Sequence, residues 1–294
     1  MTKRDFLAME DWEPEAIDAL LDLAGRCKRG EISEGLTKKV LAMVFMDPSL
    51  RTRSSMETAM FLHGGHALAL EPGKGSWALE TELDVVMDGT TVEHIIEAAR
   101  VLSRYADALA VRSFPKGSDW ATERLDPTIR NFARFADKPV INLESARRHP
   151  CQGLADAMTM REHLGETRAK RFVLMWAWHP KALPTAVPAS AAIAAAHLGM
   201  EVTIVRPEGY DLDPDDYTAI RSLAGRRGGS LTVTDELDGA IEGAHVVYPK
   251  SWGSLAHFGR PDDERAGREG KRDWRLTQAR MRATAHGKGI AMHC

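Results

Sequence analysis

Short runs that are apolar on both faces recur along this chain, each followed by a segment with helical spacing. In the first half they are Val40–Met46 (VLAMVFM), Ala108–Arg112 and Pro139–Leu143. In the second half they are Arg171–Trp176 (RFVLMW), Glu201–Val205, Leu231–Val233, His245–Tyr248 and Gly289–Met292. A strand without polar alternation must be covered on both sides, as in a parallel sheet flanked by helices. The intervening helices are predicted over Glu15–Lys28, Thr52–Leu62, Val92–Tyr105, Asp126–Ala136, Cys151–Leu164, Pro184–Leu198 and Pro214–Arg226. Strands alternating with helices in both halves predict an α/β protein with two open parallel-sheet domains and a cleft between them. The boundary is expected near residues 145–150, dividing the chain into 1–147 and 148–294. Each piece is close to the ~150 residues of an ordinary domain.

The charge balance, 39 Lys and Arg against 42 Asp and Glu for a net of −3, provides no global attraction to nucleic acid or to an anionic membrane. At 44% hydrophobic and 28% charged residues the chain is globular rather than disordered. Cys27, Cys151 and Cys294 are too scattered for a disulfide framework or a structural zinc site. The most apolar stretch, Ala182–Val205, is interrupted by Pro184, Pro188, His197 and Glu201 and reads as a buried helix and strand. The first residues, MTKRDFLAMEDWEPEAID, carry acids every few positions, unlike a signal peptide. The expectation is a cytoplasmic protein with no metal or cofactor; His63 and His66, without a third ligand nearby, read as a helix end.

Ser49-Leu50-Arg51-Thr52-Arg53 directly follows the first buried run. A helix start, two hydroxyls and two guanidinium groups at the carboxyl end of a strand are suited to binding a phosphate. An ordinary helix cap flanked by two surface arginines would look the same. The segment Glu71–Asp88, with EPGKGSW near its start, has no periodicity and is long for a connection, which marks it as functional or mobile. No G-x-G-x-x-G follows any strand, which disfavours a dinucleotide site.

His149-Pro150-Cys151-Gln152, followed by Leu154-Ala155-Asp156, stands at the expected junction. Together with the S-x-R-T-R segment and with His293-Cys294, it resembles the aspartate/ornithine carbamoyltransferase superfamily, whose signatures S-x-R-T-R, H-P-x-Q-x-L-A-D and H-C-L-P occur in this order. The resemblance implies that Ser49, Leu50, Arg51 and Thr52 hold the phosphate of carbamoyl phosphate, with Arg53 supporting the loop. It further implies that Arg112 reaches phosphate and carbamoyl oxygen, and that His149 and Gln152 orient the carbamoyl group. Cys294 would lie close to the reacting amine and carbamoyl carbon. Such fixed donors stabilise charge that develops on the carbamoyl oxygen and the departing phosphate.

Trp176-Ala177-Trp178-His179-Pro180-Lys181 and Tyr248-Pro249-Lys250-Ser251-Trp252-Gly253 resemble the branch acting on N-acylated ornithine. There His179 and Lys250 would hold the substrate α-carboxylate, and Glu144 would line the same site. The resemblance gives the product as N-acylcitrulline in arginine biosynthesis. Trp77 would reach the carbamoyl phosphate site of a neighbouring subunit, implying a homotrimer. Where acetyl enzymes of this branch carry glutamate, the chain has Val92, which removes a charge that would repel a succinyl carboxylate; N-succinylornithine is therefore expected ahead of N-acetylornithine. The alternatives are ordinary ornithine carbamoyltransfer and a non-catalytic homologue that only binds carbamoyl phosphate. The family continues beyond H-C with Leu-Pro and a returning helix, so the ending at Cys294 raises the expectation of a shortened form with weak turnover.

Overall fold

The computed structural model describes residues 3–294. In chain order the first half contains α1 (Pro14–Lys28), β1 (Val40–Phe45), α2 (Leu50–Leu62), β2 (His66–Leu70), β3 (Leu79–Glu80), β4 (Glu93–His94), α3 (Ile95–Tyr105), β5 (Ala108–Arg112), α4 (Trp120–Glu123), α5 (Pro127–Phe135) and β6 (Val140–Glu144). The second contains α6 (Pro150–Leu164), β7 (Arg171–Trp176), α7 (Ala186–His197), β8 (Glu201–Val205), α8 (Pro214–Arg227), β9 (Ser230–Thr234), α9 (Leu237–Ile241), β10 (Val246–Lys250), α10 (Pro261–Glu269), α11 (Gln278–Arg282) and β11 (Ile290–Ala291).

Among the described residues β3 pairs with β4 in a separate two-stranded sheet, and the other nine strands form two parallel sheets, ordered β2-β1-β5-β6 and β11-β10-β7-β8-β9. The two-faced apolar runs are their central strands: β1, β5 and β7 are buried along nearly their whole length. Helices α5, α6 and α8 each open with proline, whose fixed φ suits the first helical turn and whose missing N–H costs nothing there. The expected fold class is therefore the observed one.

Three local readings change. His66 begins an edge strand, β2, because Gly64 at φ +80° turns the chain out of α2. The helix expected from Val92 starts at Ile95: Glu93–His94 instead pairs with Leu79–Glu80, and the His94 ring accepts a hydrogen bond from the Ile96 N–H as helix cap. The helix expected from Pro184 begins at Ala186.

The chain crosses from the first sheet to the second in residues 145–149. Met9, Ile17 and Leu21 are buried in one cluster with Met160, Phe172, Ile193 and Trp252, so α1 packs on the second lobe. Salt bridges Asp18–Arg227 and Asp22–Arg161 reinforce that contact. Amphipathic spacing shows that α1 buries a face, and says nothing about which sheet receives it.

Candidate active site

Four strand ends converge on one cleft. β1 leads through Asp47-Pro48 into α2, whose first turn is capped by Ser49: its Oγ accepts from the Thr52 N–H at 3.2 Å. An N-terminal helix end and its unpaired N–H groups carry partial positive charge. β5 ends at Arg112 and β6 at Glu144, and a bulge after Val111 sets those two residues side by side. The Arg112 guanidinium donates to Glu144 Oε2 at 2.5 Å and lies 4.3 Å above the Phe114 ring. β10 ends at Lys250, whose Nζ donates to Cys294 Sγ at 3.2 Å.

The junction loop is held by buried polar groups. Ser145 Oγ and the Ala146 N–H both donate to Asp126, and Asn142 Nδ2 donates to the Leu7 carbonyl at 3.0 Å. This fixes His149 at the start of α6, with its backbone N–H donating to Ser190 Oγ on α7 at 2.8 Å.

The resulting cleft, about 390 Å³, is lined from the first lobe by Ser49, Arg51, Thr52, Arg112 and Glu144. His149 and Gln152 line it from α6, and Lys250 and Cys294 from the second sheet. Arg51, Arg112 and Lys250 outnumber the single carboxylate Glu144, so the site favours an anion. Burial keeps His149 neutral, pushing its pKa down to about 3 with help from Arg112 and Lys250; its ring offers one N–H rather than a charge. Glu144 Oε2 lies 3.7 Å from His149 Nε2, and burial raises the Glu144 carboxyl against the pull of Arg112. Cys151 also borders the cleft, but burial pushes its thiol up to about 12, which leaves it inert.

The other expected site residues stand elsewhere. Leu50 is 84% exposed on the outer side of α2. Trp77 is 69% exposed and lines a more apolar groove against α3 on the first lobe. Val92 is 60% exposed just before β4. His179 is exposed, its ring accepting from the Lys181 N–H at 3.1 Å. Arg53 bridges Glu57 at 3.0 Å and Glu71, at the base of the Trp77 segment, at 2.7 Å. Sequence reasoning left three contributors without a role: Phe114 under Arg112, Ser190 behind His149, and Asp156, which accepts from Gln152 Nε2 at 2.9 Å. Only Asp156 carried a signal, as a member of the quoted motif.

The family model for the aspartate/ornithine carbamoyltransferase carbamoyl-P binding domain matches residues 4–162, and that for the Asp/Orn binding domain matches residues 183–294. The chain belongs to the aspartate/ornithine carbamoyltransferase family. It is thus a carbamoyltransferase with the family's two-lobed fold. It is 43% identical to N-acetylornithine carbamoyltransferase of Xanthomonas campestris pv. campestris, over 100% of this chain and 87% of that relative. It is 34% identical to N-succinylornithine carbamoyltransferase of Bacteroides thetaiotaomicron, over 87% of this chain and 75% of that one. A solved structure of an N-acetyl-L-ornithine transcarbamylase variant, with valine in place of one glutamate, is complexed with carbamyl phosphate and N-succinyl-L-norvaline. It matches with a TM-score of 0.95 at 43% identity, covering 99% of this chain and 88% of that one. The expectation of a weakened, shortened form finds no support in these matches. Among the described residues no helix is long and apolar enough to cross a membrane.

Proposed function

We propose that this carbamoyltransferase moves the carbamoyl group of carbamoyl phosphate to the side-chain amine of an N-acylated ornithine, yielding N-acylcitrulline and phosphate in arginine biosynthesis. The observation that carries this reading is the single cleft in which a capped helix start, Arg51 and Arg112 adjoin His149 and Gln152, with Lys250 and Cys294 on the facing lobe. The phosphate takes the helix start, Ser49, Arg51 and Thr52. The carbamoyl oxygen takes donors from Arg112 and the neutral His149, and the carbamoyl N–H₂ faces Gln152. The neutral amine attacks the carbamoyl carbon, the bond to the bridging oxygen breaks so that phosphate leaves with the electron pair, and the proton lost by the amine goes to the departing phosphate. Donors fixed at the carbamoyl oxygen and at phosphate stabilise that transition state without reorganising. The two lobes supply the orientation of two separate substrates. Lys250 receives the α-carboxylate of the acceptor, Glu144 borders its chain and Cys294 packs at the reacting atoms.

Leu50, Trp77, Val92 and His179 enter this reading differently. Leu50 contributes its backbone N–H at the helix start, and His179 joins Lys250 when the cleft closes on the acceptor. Trp77 and Val92, both well exposed, serve the cleft of a neighbouring copy in a homotrimer. N-succinylornithine is the preferred acceptor because Val92 presents no charge to its second carboxylate. The valine-for-glutamate variant complexed with N-succinyl-L-norvaline supports this choice. The higher identity to an N-acetylornithine enzyme favours the second reading, with N-acetylornithine as substrate.

A panel of ornithine, N-acetylornithine and N-succinylornithine with the purified enzyme separates these readings. The expected ranking is succinyl, acetyl, then free ornithine, and faster turnover of the acetyl substrate would reverse the choice. Val92→Glu is expected to lower kcat/KM for N-succinylornithine by about tenfold, the effect of one unscreened like charge. The acetyl substrate should be spared.

A further inference from the structure

Gln152 is useful to carbamoyl transfer only if its side-chain amide faces the right way. The amide has a donor end, Nε2, and an acceptor end, Oε1. The carbamoyl N–H₂ needs an acceptor, so Oε1 must face the cleft. One helical turn along α6, Asp156 accepts the Nε2 hydrogen bond at 2.9 Å. Asp156 is 2% exposed, its Oδ2 has no hydrogen-bond partner, and no cation pairs with it among the described residues. The Tyr248 hydroxyl on β10 is fully buried and faces the same carboxyl.

An unpaired carboxylate is costly to bury for packing alone, and apolar residues would fill the same space at less cost. Its chemistry explains its place. An ionised carboxylate only accepts hydrogen bonds, so it holds Nε2 inward and leaves Oε1 for the cleft. A protonated carboxyl offers a donor, and the amide can then turn over and present N–H groups to the carbamoyl N–H₂. We propose that Asp156 is a positioning residue for carbamoyl phosphate, setting the polarity of the Gln152 amide so that its oxygen meets the carbamoyl nitrogen. This inference rests on the carbamoyl-transfer reading above.

Burial pushes the Asp156 carboxyl up to about 7, while the Gln152 N–H and the Tyr248 hydroxyl favour its ionised form. Tyr248 from β10 faces it, and Cys294 lies behind Tyr248. β6 contributes Glu144, already paired with Arg112. The face of α7 toward α6 carries alanines and Ser190. The α1 charges pair further along α6, Asp22 with Arg161 and Lys28 with Glu162. The amide switch therefore falls near neutral pH.

The experiment compares Asp156→Asn, Gln152→Ala, their double variant and Tyr248→Phe in the full-length enzyme, by steady-state kinetics and by calorimetric titration with carbamoyl phosphate across pH 5–9. Asp156→Asn is expected to weaken carbamoyl phosphate, as KM and as Kd, by about tenfold, the usual worth of one orienting hydrogen bond near charge. The KM of the acyl-ornithine should stay within about twofold, since no uniform binding to that substrate is removed. The parent is expected to show an acid limb of kcat/KM for carbamoyl phosphate near the Asp156 value of about 7; it should vanish in Asp156→Asn and move to higher pH in Tyr248→Phe. The double variant should be no weaker than Gln152→Ala alone. An unchanged acid limb in Asp156→Asn overturns the inference, as do additive losses from the two single variants. If Asp156→Asn does not fold, an unmoved limb in Tyr248→Phe overturns it instead. Failure of the parent to carbamoylate any acyl-ornithine would count against the proposed reaction, while the carbamoyl phosphate titrations would still decide the role of Asp156.

Discussion

Arg112 and Glu144 show how one pair of residues serves both stability and chemistry. Both are buried, and each compensates the other's charge. Removing a single member leaves an uncompensated buried charge, which costs roughly 3–5 kcal/mol when it cannot relax. Arg112→Leu is therefore expected to lower the urea midpoint sharply, and the double variant Arg112→Leu/Glu144→Gln to regain much of the loss. Neither is expected to transfer the carbamoyl group, since both lack the donor proposed for its oxygen. Equal denaturation midpoints for the single and double variants would show that Glu144 simply takes up a proton without strain.

At the scale of elements, α7 places the junction. Every residue of Ala186–His197 is buried, and alanines dominate, so α6 and α8 approach it closely. A Cβ on Gly153 of α6 would stand 3.3 Å from the Ser190 carbonyl oxygen. At this contact Ser190 Oγ accepts from the His149 N–H, so helix packing sets the position of a candidate catalytic residue. Ser190→Ala should cost about 1–3 kcal/mol, the penalty for stranding a buried donor. Equilibrium urea unfolding measures that directly. A rise in KM for carbamoyl phosphate is expected alongside it.

Across the whole molecule the lobes are tied by charge. Arg124, after α4, donates to both oxygens of Asp213, the cap of α8, at 2.7 and 2.8 Å, and the Trp120 indole adds a third bond at 2.8 Å. Arg148 in the junction donates to Asp216 Oδ1 at 2.7 Å. Burial alone would raise the Asp213 carboxyl, but Arg124, the Asp215 N–H and Trp120 outweigh it and hold it down at about 2. With a folded value below the ordinary 3.8, this group contributes stability above about pH 4. That stability is lost as pH falls towards 2. Asp213→Asn should flatten the fall of the thermal midpoint over that interval. A variant whose midpoint tracks the parent's throughout would remove Asp213 from the linkage.

The amino-acid sequence by itself determined the α/β class, the central strands and the capped helix start that follows β1. Two-faced apolar runs, proline at helix starts and Ser49 before a helix act through their immediate neighbours. It also carried most of the cleft, because S-x-R-T-R and H-P-x-Q each place their residues on one local turn. Only the tertiary structure decided that α1 packs on the second lobe, and that a bulge sets Arg112 against Glu144. It also revealed the placement of Asp156 behind Gln152 and facing Tyr248. These are contacts between distant segments, governed by which buried charges and apolar faces find partners, and residue spacing does not encode that choice.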